Sequence, residues 1–300
     1  GQRAMIDGRT QLAGIIGWPV SHSFSPAMHN AAAAALNLNV VYVPLPVHPD
    51  RLADGLRGLV ALGYRGANIT VPHKQAVMPL LDHVEPTARA IRAVNTIVIQ
   101  DGQLAGHNTD WSGFLADLAA HGVTLEGRQC LVLGAGGAAR AVAYGLLLGG
   151  AELTVAARRP EQAVGLAADL AGTFTSNPSI RAIPLREVEA IAMNGDSPLI
   201  VNTTPLGMAG EHAGASPWPE GLPFPSGAFV YDLVYNPART RLLGQAEAAG
   251  CRTANGLGML VGQAAEAFTL FTGRAPDRNV MRQAVAPAHN DWNRETIPGT

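Results

Sequence analysis

Cys130-Leu131-Val132-Leu133-Gly134-Ala135-Gly136-Gly137-Ala138-Ala139-Arg140 is an apolar, β-prone run that breaks into glycines and then into helix formers. In that setting a G-x-G-x-x-G/A pattern becomes a dinucleotide fingerprint. Gly134 makes the turn, Gly136 lets backbone approach a pyrophosphate, and Ala139 permits close packing of helix on strand. Gly137 and Ala138 open the helix, whose unpaired N–H groups and dipole favour phosphate. The competing reading is a glycine-rich turn with no ligand.

The next strand, residues 152–156, ends in Ala157-Arg158-Arg159-Pro160, with no acid before Glu161. NAD sites usually place an acid there for the ribose 2′-hydroxyl. Two guanidiniums instead suit the 2′-phosphate of NADP, although exposed arginines can also be merely solvated. Further strands are expected at residues 199–202 and 229–233, separated by a Gly/Pro-rich loop at 210–226. After Asn255-Gly256 a helical period carries Leu260, Ala264, Ala267, Phe268 and Phe271 on one face.

Upstream, β-rich runs at residues 12–16, 40–45, 67–71, 96–99 and 103–105 alternate with helical stretches. Ser25-Pro26 reads as an N-cap followed by proline at the first helical position. Asp101-Gly102 signals a hairpin, and a helix is expected over 109–120. The alternation predicts an α/β fold with mainly parallel strands. Three hundred residues suggest about two domains, with a crossing near His121-Gly122 and Glu126-Gly127. Residues 287–300 are polar and aperiodic, so disorder is expected there; Gly1–Ala4 ahead of Met5 reads as a cloning remnant.

A formal charge of −2 gives no broad basic field, which argues against nucleic acid or an anionic membrane as partner. The apolar stretches are too short to span a bilayer. Cys130 and Cys251 form no disulfide framework and no zinc spacing, so no metal is expected and a reducing cytoplasm is.

Among 21 Lys+Arg, Lys74 is the only lysine. Its ammonium can lose a proton, which a guanidinium effectively cannot, so it is a candidate for proton transfer or substrate holding. Survival by chance under a codon bias against lysine is the bland alternative. Four segments then gather small polar residues at expected strand ends: residues 21–26, 68–74, 93–96 and 106–110. Singly each is ordinary turn chemistry. Together they place donors and acceptors where open α/β sheets bind ligands. Such a site suits a compact polyhydroxylated substrate, with Lys74 and Asp110 as its ionisable pair.

On these residues the chain resembles the shikimate dehydrogenase family over nearly its whole length. The motifs are His-Ser-x-Ser-Pro (22–26), Asn-x-Thr-x-Pro-x-Lys (68–74), Ala-Val-Asn-Thr (93–96) and Asn-Thr-Asp (108–110). Gly-Ala-Gly-Gly-Ala (134–138), Asn-Thr-Thr-Pro-Leu-Gly-Met (202–208), Tyr-Asp-Leu-Val-Tyr-Asn-Pro (231–237) and Asn-Gly-Leu-Gly-Met-Leu (255–260) with Gln263 follow in order.

The resemblance implies reversible NADPH-dependent reduction of 3-dehydroshikimate to shikimate, in chorismate and aromatic amino-acid biosynthesis. It implies that Ser23 and Ser25 bind the substrate carboxylate, that Thr70, Asn95, Asp110 and Gln263 hold the ring hydroxyls with Lys74, and that Tyr235 lies near the substrate. Gly134, Ala135, Gly136, Gly137 and Ala138 would cradle the pyrophosphate; Arg158 matches the family's 2′-phosphate arginine, and Arg159 beside it is the second candidate for that phosphate. Thr203, Met208, Gly256 and Met259 would flank the nicotinamide. Lys74 and Asp110 are the implied proton-transfer pair.

Also implied are two three-layer α/β/α domains. The substrate domain joins residues 5–111 to 257–286, and a Rossmann-type NADP domain, 112–256, is inserted between them; a cytoplasmic monomer or homodimer is expected. The chain departs from the family at Arg92, commonly glycine, at Ala157-Arg158-Arg159, commonly Asn-Arg-Thr, and at Trp111, frequently glycine. Quinate-using relatives often carry threonine at the Ser25 position. A quinate or amino-shikimate dehydrogenase with relaxed or NAD cofactor use, and a non-catalytic ligand sensor, are the alternatives.

Overall fold

A computed structural model describes residues 6–175, 178–190 and 198–295. The chain divides into two compact units, Gly1–Gly113 with Val261–Pro287 and Phe114–Leu260 with Ala288–Thr300.

The first unit is built on strands β1 (Gln11–Gly17), β2 (Val40–Pro46), β3 (Gly66–Ile69), β4 (His83–Val84), β5 (Thr96–Gln100) and β6 (Gln103–His107). Their order in the sheet is β2-β1-β3-β5-β6-β4. β1 runs parallel to β2 and β3, while β5 is antiparallel to both of its neighbours. The hairpin turn is at Asp101 and Gly102, both at positive φ. Helices α1 (Ser25–Ala35), α2 (Leu52–Ala61) and α3 (Pro86–Ile91) connect the strands. One core gathers Ile16, Leu56, Ile69, Val94 and Ile97; another joins Tyr42 of β2 to Ala267 and Phe271.

Ser25 is not the N-cap. It is the first residue of α1, with Phe24 as the cap and no side-chain cap bond. Proline at the second helical position still pre-sets φ, so the helix starts one residue earlier than a serine cap would allow. Arg92 caps α3 in the left-handed conformation, φ 57° and ψ 38°, a backbone state that favours glycine.

The chain passes between units through α4 (Asp110–Ala120). The second unit holds β7 (Gln129–Leu133), α5 (Gly137–Leu148), β8 (Glu152–Ala157), α6 (Pro160–Ala171), β9 (Ile180–Pro184), β10 (Leu199–Asn202), β11 (Phe229–Asp232), α7 (Arg241–Ala248) and β12 (Arg252–Asn255). Its sheet order is β12-β11-β10-β7-β8-β9 with every paired strand parallel. That is the doubly wound order in which ligands bind at the carboxyl ends where the winding reverses, here between β7 and β10. Val132, Val142, Leu146, Val155, Val201 and Tyr231 pack in its core.

α8 (Leu257–Thr272) carries the chain back, and α9 runs Arg278–Glu295. Residues 287–295, where the sequence carries no periodic pattern, continue α9; residues 296–300 lie outside the described residues. Extending an existing helix adds one backbone bond per residue and needs no apolar stripe, so periodicity could not signal it.

Candidate functional site

In the first unit the ends of β3, β5 and β6 deliver one polar cluster. Thr70 follows β3, Lys74 lies four residues further, Asn95 precedes β5, and Asn108-Thr109 link β6 to α4. Lys74 Nζ donates to Asp110 Oδ2 at 2.6 Å, and the two side chains are only 15% and 7% exposed. At that burial the attraction is weakly screened, so the ammonium is held against the carboxylate.

Asn95 is the hub. Its Nδ2 donates toward Asp110 Oδ1 and Thr109 Oγ1, both 2.9 Å away, and Gln263 Oε1 at 3.3 Å. Its Oδ1 accepts from Thr109 N at 2.8 Å and Thr96 Oγ1 at 3.0 Å. Asn108 fixes the corner by accepting from Asp110 N at 3.0 Å and donating to Ala93 O at 2.9 Å. Gln263 arrives from α8 because glycine lets two helices approach. A Cβ on Gly262 would sit 3.1 Å from Gly113 Cα, and Ser112 Oγ donates to Glu266 Oε2 at 2.6 Å alongside.

A second line of bonds runs inward. Tyr42 OH donates to Asn68 Oδ1 at 2.7 Å, and Asn68 Nδ2 donates to Thr96 Oγ1 at 3.0 Å. Burial raises Tyr42 well above the ordinary phenol range, partly offset by a bond from Ser25. Ser25 is buried and half-buried Ser23 accepts from its backbone N–H at 3.2 Å. Gly17 makes room for Thr70, since a Cβ there would meet Thr70 Cγ2 at 2.5 Å.

Two buried histidines pack within the same unit. His73 bonds through Nε2 to Val47 O at 2.8 Å. His29 stacks on Tyr42 at 4.1 Å, and burial pushes its imidazole down to about 3, so it stays neutral.

In the second unit Gly134 has φ 114°, and a Cβ on it would meet Thr203 Oγ1 at 2.5 Å. Thr203 itself donates to Leu133 O at 2.7 Å. Gly136 caps α5 with no side-chain bond, and a Cβ there would meet nothing within 4 Å. An open approach to an uncapped helix N-terminus fits a pyrophosphate resting on Gly136, Gly137 and Ala138. Ala139, fully buried, lets α5 lie close on β7. Arg158 and Arg159 emerge exposed past β8, and among the described residues neither has an ion-pair partner.

Gly256 must be glycine, because a Cβ would lie 2.0 Å from Leu233 O. Met208 is exposed, whereas Met259 is buried in the core. Tyr235 is half-buried in the second unit, not the unit holding Lys74, and lost hydration pushes its phenol up to about 12. Asn68, Thr96 and Thr109 belong to the network without having been singled out; all three lie inside or beside the quoted polar segments. Among the described residues no group of three or more His, Cys, Asp or Glu side chains is arranged to hold a metal ion. No described helix is long and apolar enough to cross a membrane.

A shikimate dehydrogenase (NADP(+)) of Salinibacter ruber is 50% identical over 273 residues, covering 90% of this chain and 94% of that one. The chain belongs to the shikimate dehydrogenase family. Models of the family's substrate binding domain and C-terminal domain match residues 15–97 and 256–286. The solved shikimate 5-dehydrogenase of Thermus thermophilus, in complex with NADP(H) and shikimate, is 40% identical with a TM-score of 0.81, covering 93% of this chain and 99% of that one. A quinate dehydrogenase of Corynebacterium glutamicum, in complex with NAD, is 35% identical with a TM-score of 0.83 over the same shares.

Proposed function

We propose that the chain is an NADP-dependent shikimate dehydrogenase, reducing 3-dehydroshikimate reversibly to shikimate on the route to chorismate. The observation that carries the reading is the 2.6 Å Lys74–Asp110 pair embedded in a cluster of hydroxyls and amides. Residues 5–111 with 257–286 bind the substrate, and residues 112–256 bind the nucleotide.

Ser23 and Ser25 hold the substrate carboxylate; Thr70, Asn95 and Gln263 hold ring hydroxyls, and Tyr235 lies near the substrate. Gly134 to Ala138 cradle the pyrophosphate, Arg158 and Arg159 grip the 2′-phosphate, and Thr203, Met208, Gly256 and Met259 flank the nicotinamide. NADPH, when bound, supplies the hydride to the C3 carbonyl. The Lys74 ammonium gives its proton to the oxygen that becomes the hydroxyl, and Asp110 orients and stabilises that ammonium. In the oxidative direction neutral Lys74 accepts the same proton. Arginine could not serve, because its guanidinium does not release a proton in a protein.

The likeness to a quinate dehydrogenase binding NAD supports a second reading, with quinate as substrate and NAD as cofactor. Serine at position 25, rather than threonine, favours shikimate. Initial rates on shikimate and quinate, each with NADP+ and NAD+, decide the matter. Shikimate with NADP+ is expected to be fastest; a clear preference for quinate with NAD+ overturns the choice, and no nicotinamide absorbance change in any arm points to a sensor. Sedimentation will distinguish the monomer from the homodimer.

A further inference from the structure

β8 and β9 are parallel neighbours in the register Ala157↔Pro184. Arg158 is the first residue beyond the matched pair on one strand, and Arg186 the second beyond it on the other. Both therefore stand just past the same end of the sheet, Arg186 in the 3-10 turn Leu185–Ala190 that follows β9.

They line one cavity of ≈ 590 Å³, whose apolar wall includes Trp218. Trp218 is fixed there by Nε1 donating to Leu222 O at 2.9 Å and by stacking on Phe224 at 4.6 Å. The size falls in the range of small-molecule sites. Three guanidiniums and two carboxylates border the cavity: Arg158, Arg186, Arg241, Glu189 and Glu220. Arg241 is paired with Glu220 at 3.6 Å. Among the described residues Arg186 pairs with Glu187, at 3.9 Å and exposed to solvent, a contact that holds little. Two guanidiniums therefore keep donors to spare at this end of the sheet.

A phosphate dianion has three terminal oxygens, and one guanidinium engages two of them in its planar fork. A second guanidinium on the same cavity, from the turn after the adjacent strand, can take the third oxygen and the remaining charge. We propose that Arg186 is a second specificity-determining residue, gripping the 2′-phosphate of NADP together with Arg158 in this cavity. The proposal rests on the NADP reading. Arg186 gains nothing from the bare 2′-hydroxyl of NAD, so it discriminates between the cofactors. Glu189 is the opposing charge and weakens the grip.

Calorimetric titration of the full chain with NADP+, NAD+, adenosine 2′,5′-bisphosphate and 5′-AMP tests this, alongside the variants Arg186→Ala and Glu189→Gln. Arg186 is 78% exposed, so its replacement leaves the core untouched. Arg186→Ala is expected to weaken both 2′-phosphorylated ligands about tenfold or more, while NAD+ and 5′-AMP stay within about twofold. Glu189→Gln is expected to tighten the phosphorylated pair alone. If the wild type prefers NADP+ but Arg186→Ala binds it unchanged, or loses all four ligands equally, the role of Arg186 is overturned. If the wild type itself does not prefer NADP+ over NAD+, the NADP reading fails and takes the proposal with it.

Discussion

Replacing Lys74 by methionine keeps the apolar stem and removes the ammonium. Asp110, 7% exposed on its side chain, then retains the Asn95 amide 2.9 Å from Oδ1 but, among the described residues, no hydrogen-bond donor at Oδ2. Removing one partner of a buried pair costs about 3–5 kcal/mol while the other stays charged. For a unit of this size that lowers Tm by an amount on the order of 10 °C. Loss of a positioned proton donor costs turnover roughly 10²–10⁴-fold. KM for shikimate should stay within about tenfold, because Asn95 and Gln263 remain. Steady-state rates from nicotinamide absorbance, with thermal melts, measure both effects. The double variant Lys74→Met/Asp110→Asn separates them, recovering most of the lost stability and none of the turnover. A Lys74→Met enzyme turning over within about tenfold of wild type would sink the proton assignment.

Burial pushes the Asp232 carboxyl up to about 6 from 3.8, despite bonds from Thr240, Val234 N and Asn202. The native state then binds more protons than the unfolded state across that window, so stability falls as pH rises from about 4 to about 6, by about 3 kcal/mol in all. Asp232→Asn keeps the bonds to Oδ1 and should remove this slope; melts of the two proteins that run parallel across pH would refute it. Arg92→Gly relieves a left-handed backbone and should stabilise the first unit by about 1 kcal/mol, read by denaturant midpoint at constant slope. A lower midpoint would show that the arginine side chain contributes more than the strain.

The second unit was the more legible of the two. The glycine turn after β7 is a local event, because positive φ at Gly134 and an uncapped helix start at Gly136 follow from residue types in a row. Lys74 stood out by composition alone. Less legible were short strands with weak patterns: β4, β9 and β12 carry few alternating apolar residues and exist because neighbouring strands offer them hydrogen bonds. Arg186 was hidden with β9, because its place on the cavity of Arg158 depends on how the chain turns after that strand.

Local pattern determined that this chain is α/β, where it turns, and which residue types stand at the strand ends. Only tertiary structure decided which of those residues meet. Asp110 is 36 positions from Lys74, and Gln263 is 168 positions from Asn95, yet each pair lies within bonding range. Backbone preferences act over a few residues, whereas such convergence is set by sheet order and by Gly262 letting α8 close on Gly113. The fold also leaves the pair only 15% and 7% exposed, so the ammonium that the sequence merely contains becomes one that a carboxylate holds in place.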